Sequence, residues 1–160
     1  MTDLAPPLAI GDPMPDIVLR RPDGSDARLR DVVVGSGSLV YFMRTSTCPV
    51  CHRHVAALVD AAEAGRFGDR AVHVLVPGEP DDAAYVRSRV PSPAVTVWST
   101  GTGHAQAGLG RFLTLQHSGV FLLADDGAVR YRRSAAVPTQ SFDLRELLVA
   151  VEADAEPPAR

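Results

Sequence analysis

The stretch that decides the fold is Ser38–Cys51, which reads SLVYFMRTSTCPVC. It opens with a nearly continuous apolar run, Ser38 to Met43, and such runs are typical of a β-strand covered on both faces. It closes with two cysteines separated by a proline and a valine, and a helical pattern follows from Pro49. The stretch therefore predicts a buried strand that gives way, at the cysteine pair, to an α-helix.

The helix that follows has an apolar stripe at helical spacing, formed by Val55, Leu58, Val59 and Ala62. Pro49 fits the first helical position, because the N–H that proline lacks would have no partner there. Cys48 is then the predicted N-cap. Counting back along the stripe places Cys51 on the inward face of the helix. We therefore expect an exposed Cys48 and a more buried Cys51.

This arrangement predicts thiol chemistry. A thiolate at the helix N-terminus faces unpaired backbone N–H groups and the positive end of the helix dipole, which favours Cys48 as the nucleophile. Cys51 is then placed to resolve a mixed disulfide formed at Cys48. Positive potential is available from several nearby residues, and the spacing does not tell which of them face the thiols: Arg44, His52, Arg53 and His54.

The rest of the chain predicts an α/β domain with a mixed sheet flanked by helices. Strands or hairpin arms are predicted at 17–19, 27–29, 71–76, 94–98, 120–124 and 128–132, and helices at 81–89, 106–110 and 144–151 with Ser141 as N-cap. We expect one domain over residues 11–152, a flexible start at 1–10 and a disordered tail at 153–160.

Composition limits the function classes. The chain has 160 residues with 46% hydrophobic content, 22% charged content and a net charge of -3, which gives no basic footprint for nucleic acid. The opening residues lack a signal-peptide pattern, and no apolar run is long enough for a membrane span. We expect a cytoplasmic protein, and in a reducing cytosol a cysteine pair is more often catalytic or metal-binding than structural.

Other interpretations of the pair stay open. Cys48–His52 matches the C-x-x-C-H pattern of haem attachment, and with His54 it could form part of a zinc site. The flanking α/β pattern is unlike a small cytochrome, and no second Cys or His pair occurs at finger-like spacing. A purely structural pair is the remaining alternative.

Several segments, in the right order, resemble the redoxin and alkyl hydroperoxide reductase (AhpC/TSA) branch of the thioredoxin superfamily: 11–19, 22–24, 28–32, 41–51, 118–127 and 137–147. The resemblance implies a thioredoxin-like fold with an N-terminal β-hairpin extension. It also implies an antioxidant or disulfide-exchanging enzyme that works through a redox-active cysteine.

The active-site motif departs from the peroxiredoxin pattern P-x-x-x-T-x-x-C. Ending the pattern on Cys51 puts Arg44 at the proline and Cys48 at the threonine, whereas ending it on Cys48 keeps Thr45 but puts Tyr41 at the proline. Ser118 stands where the resemblance implies a peroxide-binding arginine, or the active-site proline of thioredoxins. The donors that stabilise a departing peroxide oxygen are thus altered, with Arg44, Thr45 or Arg111 as candidate substitutes.

We therefore rank a thiol-disulfide oxidoreductase first, with Cys48 as nucleophile and Cys51 as resolving cysteine. A divergent peroxiredoxin with Cys51 or Cys48 as the peroxidatic cysteine comes second, and a C-x-x-C-H metal-binding or structural domain third. Supporting roles fall to Arg44, Thr45, His52 and Ser118, while Glu63 is a weaker candidate for assisting proton transfer. Expected partners are a protein or small-molecule disulfide, or a peroxide, and a thioredoxin-type or low-molecular-weight thiol reductant. We expect no cofactor, metal, nucleic acid or membrane, and a homodimer stays open.

Overall fold

The computed structural model describes residues 6–33, 35–112 and 115–155. The strands are β1 (Val18–Arg20), β2 (Asp26–Arg28), β3 (Ser38–Phe42), β4 (Ala71–Val76), β5 (Thr96–Ser99), β6 (Arg111–Phe112), β7 (Leu115–Gln116), β8 (Ser118–Leu123) and β9 (Val129–Ala135). The α-helices are α1 (Leu29–Val32), α2 (Pro49–Glu63), α3 (Pro80–Arg89) and α4 (Leu144–Ala155), with short 3-10 turns at Gly103–Ala107 and Pro138–Gln140. Within these residues, no helix has both the length and the apolar character needed to cross a membrane.

The main sheet has seven strands in the order β2-β1-β5-β4-β3-β8-β9. Strand β3 lies near its centre, parallel to β4 and antiparallel to β8, and β4 runs parallel to β5. The predicted mixed sheet is therefore confirmed. Because the carboxyl ends of parallel β3, β4 and β5 meet at one edge, the loop after β3 that carries the cysteines opens at that edge.

Side chains of β3 alternate between two apolar clusters, as a strand buried on both faces requires. Leu39, Tyr41 and Met43 face the cluster formed with the longer helices α2, α3 and α4. Val40 and Phe42 face the opposite cluster, which is completed by the N-terminal segment and the 3-10 turn after β5. The cysteines belong to the helix-covered cluster.

The N-terminal hairpin is confirmed, since β1 and β2 pair antiparallel around the predicted turn at Pro22–Ser25. Asp23 closes the turn, because its carboxylate accepts hydrogen bonds from the backbone N–H and the hydroxyl of Ser25. The chain then turns directly into the short helix α1, which the sequence patterns did not predict. Leu29, its first residue, is buried in the cluster opposite the long helices.

The prediction of Ser141 as the N-cap of α4 is wrong. Asp143 takes that position, and its Oδ1 accepts a hydrogen bond from the N–H of Glu146 at 3.0 Å. The Ser141 hydroxyl is buried and hydrogen-bonds to Ser118 and Pro138 instead. The short helix expected at 106–110 begins earlier, at Gly103.

At both predicted chain ends, the described residues nearest the domain are ordered into the fold. Helix α4 continues to Ala155, so residues 153–155 are helical rather than part of a disordered tail. At the start, Leu8 is buried in the core, and the Pro6 carbonyl oxygen lies against Gly108. Residues 1–5 and 156–160, to which the same predictions extended, lie outside the described residues.

Candidate active site

The cysteine pair lies at the strand-to-helix junction that the sequence predicted. Cys48 is the N-cap of α2 and Pro49 its first residue, and the Cys48 Sγ accepts a hydrogen bond from the backbone N–H of Cys51 at 3.2 Å. Both cysteines are free thiols. The sulfur of Cys48 thus occupies the position that a serine or aspartate oxygen takes in an ordinary helix cap.

The expected exposure of Cys48 is wrong. Cys48 is only 3% exposed, and Cys51 is fully buried at 0%. The relative order was predicted correctly, but both thiols are packed into the helix-covered cluster of the core.

Cys51 lies on the inward stripe of α2 together with Val55 and Leu58, as predicted. Burial raises the pKa of the Cys51 thiol well above its ordinary value, and the neighbouring Cys48 thiol adds to this rise. The backbone N–H of Arg44, which donates to Cys51 Sγ at 3.4 Å, and the Tyr41 hydroxyl act in the opposite direction. At neutral pH, Cys51 is consequently a protonated thiol with donors in place for its thiolate.

A buried polar group flanks Cys51. The hydroxyl of Tyr41, on β3, shares a 2.7 Å hydrogen bond with Nδ1 of His54, one turn after Cys51 on α2. The His54 ring stacks on Phe142 with ring centroids 4.7 Å apart, which fixes its orientation. Burial lowers the pKa of His54 to about 4. His54 is therefore neutral at pH 7, and the expectation that it adds positive potential is wrong.

Ser118 lies behind this group rather than against the thiols. It is fully buried at the start of β8, and its hydroxyl donates to the Ser141 hydroxyl at 2.6 Å, which in turn donates to the Pro138 carbonyl oxygen at 2.9 Å. The Ser141 hydroxyl also affects Tyr41. Burial raises the pKa of the Tyr41 hydroxyl, and a hydrogen bond with Ser141 acts in the opposite direction. Ser118 thus connects the loop before α4 to the site through Ser141.

The other candidates lie in the loop between β3 and α2 and in the first turn of α2. His52 donates through Nε2 to the Ser46 carbonyl oxygen at 2.7 Å, and the Cys48 N–H donates to the Thr45 carbonyl oxygen at 3.4 Å. The Ser46 hydroxyl donates to Asp82 on α3. His52 and the Thr45 carbonyl group therefore hold the shape of the loop. Among the described residues, these hydrogen bonds do not bring the His52 ring or the Thr45 hydroxyl into contact with a sulfur.

A pocket of about 280 Å³ opens beside this loop and is lined in part by Arg44, Thr45 and Arg111. The structure thus brings together the three residues that the sequence offered as substitutes for missing peroxide donors. Glu63 lies elsewhere: it is exposed at the end of α2, and its carboxylate accepts a hydrogen bond from Ser92 at 2.7 Å. The suggestion that Glu63 assists proton transfer at the thiols is therefore wrong.

The sequence patterns missed Tyr41 and Ser141 as parts of the site. One signal was available, because a tyrosine inside an otherwise apolar buried strand needs a partner for its hydroxyl. That partner, His54, shares a helical face with Cys51 through their three-residue spacing. In residues 6–33, 35–112 and 115–155, no three His, Cys, Asp or Glu side chains converge as metal ligands would.

Comparisons with solved structures agree on the fold. A peroxiredoxin-like protein from Aquifex aeolicus is 18% identical, with 94% of this chain and 90% of that chain covered and a TM-score of 0.74. Peroxidoxin BcpB from Mycobacterium tuberculosis is 19% identical, with 91% and 97% covered and a TM-score of 0.75. Reduced Prx3 from Vibrio vulnificus, in complex with H₂O₂, is 14% identical, with 90% and 99% covered and a TM-score of 0.76.

At these identities the solved structures establish the thioredoxin-like fold. No curated protein sequence matches the chain. The sequence profile of the AhpC/TSA family matches residues 10–89, half of the chain, and this region contains both cysteines. The protein therefore belongs to the AhpC/TSA family of peroxiredoxin-like oxidoreductases.

Proposed function

We propose that this protein is a thiol-disulfide oxidoreductase in which Cys48 is the nucleophile and Cys51 the resolving cysteine. One observation carries the proposal: Cys48 Sγ caps α2 and accepts the N–H of Cys51, so that two free thiols lie one turn apart at a helix N-terminus. A backbone donor and the helix dipole both favour negative charge on that sulfur.

The two thiols differ in a way that assigns their roles. The Cys48 sulfur lies at the N-terminus of α2, whereas Cys51 lies within its first turn, on the buried face. The raised pKa of Cys51 keeps this thiol protonated during the first attack. A protonated second thiol does not compete for the substrate, and this supports a fixed order of attack.

The reaction consists of two exchanges. The Cys48 thiolate attacks one sulfur of the substrate disulfide, forms a mixed disulfide and releases the other half as a thiolate. Cys51 then loses its proton and attacks the Cys48 sulfur, which releases the second half and leaves a Cys48–Cys51 disulfide. The two product thiols take up the protons that the cysteines lost. An external dithiol of thioredoxin type, or a low-molecular-weight thiol, restores the reduced pair.

Tyr41 and His54 support the second exchange. When His54 carries its proton on Nδ1, it donates to the Tyr41 oxygen, and the Tyr41 hydroxyl is then free to donate to the developing Cys51 thiolate. The Arg44 N–H already points at the same sulfur. These two donors stabilise a charge that burial alone would disfavour.

Because Cys48 is only 3% exposed, its burial limits the size of the substrate that can reach the sulfur. A folded protein that presents a disulfide must bring its own backbone against the attacking sulfur, which a buried thiol obstructs. A small-molecule disulfide needs only a narrow opening. We therefore favour low-molecular-weight disulfides over protein disulfides as the substrate class.

A peroxidase is the second candidate, and membership of the AhpC/TSA family favours it. Cys48 would attack the peroxide O–O bond, with release of water or an alcohol and formation of a sulfenic acid. Cys51 would then condense with it, forming the same disulfide and releasing water. Cys51 is the poorer peroxidatic cysteine, because it is fully buried and its pKa is raised.

The test compares both reactions in wild type, Cys48→Ser and Cys51→Ser. Stopped-flow oxidation by hydrogen peroxide is measured beside reduction of a small disulfide, with mass spectrometry of trapped adducts. Slow peroxide oxidation, together with a stable mixed disulfide in Cys51→Ser and none in Cys48→Ser, is the result expected. Rapid oxidation by peroxide with little disulfide reduction would instead assign the peroxidase.

A single domain over the described residues, a cytoplasmic location and a homodimer are compatible with this function and stay predictions. Size-exclusion chromatography with light scattering tests the oligomeric state directly.

A further inference from the structure

The pocket beside the cysteine loop carries unpaired positive charge. Its volume is about 280 Å³, and its charged lining residues are Arg44, Arg111 and Asp82. Nε of Arg44 is buried and has no hydrogen-bond partner among the residues that the structure describes. Among the described residues, neither arginine has a carboxylate within ion-pair distance, although seven other ion pairs form elsewhere.

The aspartate in the pocket already accepts hydrogen bonds from other residues of the protein. Asp82 accepts the Glu79 N–H at 2.9 Å through Oδ2 and the Ser46 hydroxyl at 3.2 Å through Oδ1, as part of the capping box of α3. Arg111 is oriented by its Nε, which donates to the side-chain oxygen of Gln116 at 3.2 Å. In the part of the chain that the structure describes, its other guanidinium N–H groups make no hydrogen bond. Two arginines and one aspartate give the pocket a charge that matches a single monoanion.

The shape of the donors narrows the ligand class. A guanidinium presents planar, paired N–H groups that match a carboxylate. A doubly charged phosphate would meet the Asp82 carboxylate at close range. The pocket volume of about 280 Å³ is just below the range of about 300–1,000 Å³ that is usual for small-molecule sites, so the pocket suits a short acid rather than a large ligand.

The pocket is joined to the nucleophile by the loop itself. Arg44, Thr45 and Ser46 line it, and Cys48 follows two residues after Ser46, a span of at most about 7 Å between Cα atoms. This span is short enough for one small substrate to hold its carboxylate in the pocket and its disulfide at Cys48. We propose that Arg44 and Arg111 form a carboxylate subsite, and that the preferred substrates are small disulfides with a carboxylate a few bonds from sulfur. The substrate assignment rests on the function proposed above, whereas the subsite itself does not.

The subsite is tested first without any enzymatic activity. In a Cys51→Ser background, alkylation of Cys48 is timed with iodoacetate, an anion, and iodoacetamide, its neutral counterpart. Arg44→Gln and Arg111→Gln should each lower the rate ratio of iodoacetate to iodoacetamide about tenfold, the loss expected for a charge-assisted hydrogen bond. Arg132→Gln is the matched control, because Arg132 is exposed on β9.

Protection by propionate distinguishes a specific binding site from a general positive potential around Cys48. It should protect Cys48 from iodoacetate with saturation in the wild-type pocket and without saturation in Arg111→Gln. Arg111→Lys keeps the charge but loses the planar fork, so it should also lose saturable protection. Asp82→Asn, which removes the negative charge, should tighten propionate binding. An unchanged alkylation ratio in Arg111→Gln, or no saturable protection in wild type, would overturn the subsite.

The substrate class is tested with three disulfides that differ in charge: dithiodipropionate, hydroxyethyl disulfide and cystamine. Wild type should reduce dithiodipropionate about tenfold more efficiently than hydroxyethyl disulfide, for the same charge-assisted bond, and cystamine least well. Arg111→Gln should remove this preference, measured as the ratio of the dithiodipropionate rate to the hydroxyethyl disulfide rate within the same variant. Equal rates for all three disulfides would overturn the substrate class. If none is reduced, the proposed function fails, while the alkylation experiment still decides the subsite.

Discussion

At the scale of single residues, the Cys48 sulfur is hydrogen-bonded by the backbone, and the two nearby histidines do not supply positive charge to it. The Cys51 N–H donates to it at 3.2 Å. His52 is engaged with the Ser46 carbonyl oxygen, and His54 is neutral because burial lowers its pKa to about 4. The hydrogen bond to the Cys48 sulfur therefore comes from the first turn of α2, which is a property of the local fold.

The Tyr41 hydroxyl gives a prediction at this scale. Tyr41→Phe should slow the release of a mixed disulfide about tenfold, since the Cys51 thiolate loses a hydrogen-bond donor in a buried site. The first attack, at Cys48, should keep its rate. Single-turnover kinetics with a chromogenic disulfide separate the two steps.

Tyr131→Phe is the matched control, because the Tyr131 hydroxyl bonds to Glu146 on the outer strand β9 and lies away from the thiols. If Tyr41→Phe slows both steps equally, its role is structural and the proposed donor role is wrong.

At the scale of elements, α2 and α4 show two ways of satisfying a helix N-terminus. Helix α2 uses a cysteine sulfur as its cap, which couples the cap to chemistry. Helix α4 uses the carboxylate of Asp143. The difference lies in the cap atom: an oxygen serves only stability, whereas a thiolate in the same position also serves as a nucleophile.

Asp143→Ala should destabilise the protein by about 1 kcal/mol, the usual cost of losing an N-cap side chain. Urea unfolding at pH 7 measures the change. Glu152→Ala, on an exposed position of the same helix, should change stability much less. Equal stability changes for the two substitutions would contradict the assignment of Asp143 as the cap.

Many of the strands and helices around the site could be predicted from the sequence. The strand before the cysteines, the helix after them and the hairpin at Pro22–Ser25 depend on short-range patterns of apolar spacing and turn residues. The α4 cap could not be predicted in the same way. Ser141 and Asp143 are both good cap residues, and only the packing of Ser141 against Ser118 decides between them.

At the scale of the whole molecule, a buried histidine couples the site to global stability. His104 is fully buried; its Nε2 donates to the Met43 carbonyl oxygen at 2.8 Å, and its Nδ1 lies 3.0 Å from the Thr100 hydroxyl oxygen. Met43 directly precedes the cysteine loop. Burial lowers the pKa of His104 to about 4.

This lowered pKa predicts acid destabilisation. The unfolded chain binds a proton at His104 below a pH of about 6.5, whereas the folded chain resists protonation down to about 4. The stability from neutral His104 is thus fully present above about pH 6.5 and is lost as the pH falls toward 4. Between pH 7 and pH 5 the loss should be about 2 kcal/mol.

His104→Gln removes the titrating group but keeps a donor and an acceptor. Urea unfolding of both proteins at pH 7 and pH 5 isolates the effect, because His54 and His73 contribute equally to each. Wild type should lose more stability on acidification than His104→Gln does. The same loss in both would place the acid sensitivity elsewhere.

The sequence by itself determined the strand, the N-cap cysteine and the helix of the site, because these follow from neighbouring residues and their spacing. The tertiary structure decided the rest: the burial of Cys48, the neutral state of His54 and the meeting of Arg44 with Arg111 in one pocket. Each of these depends on segments that are distant in sequence. Burial and charge are set by everything packed around a group, and local spacing carries no record of that packing.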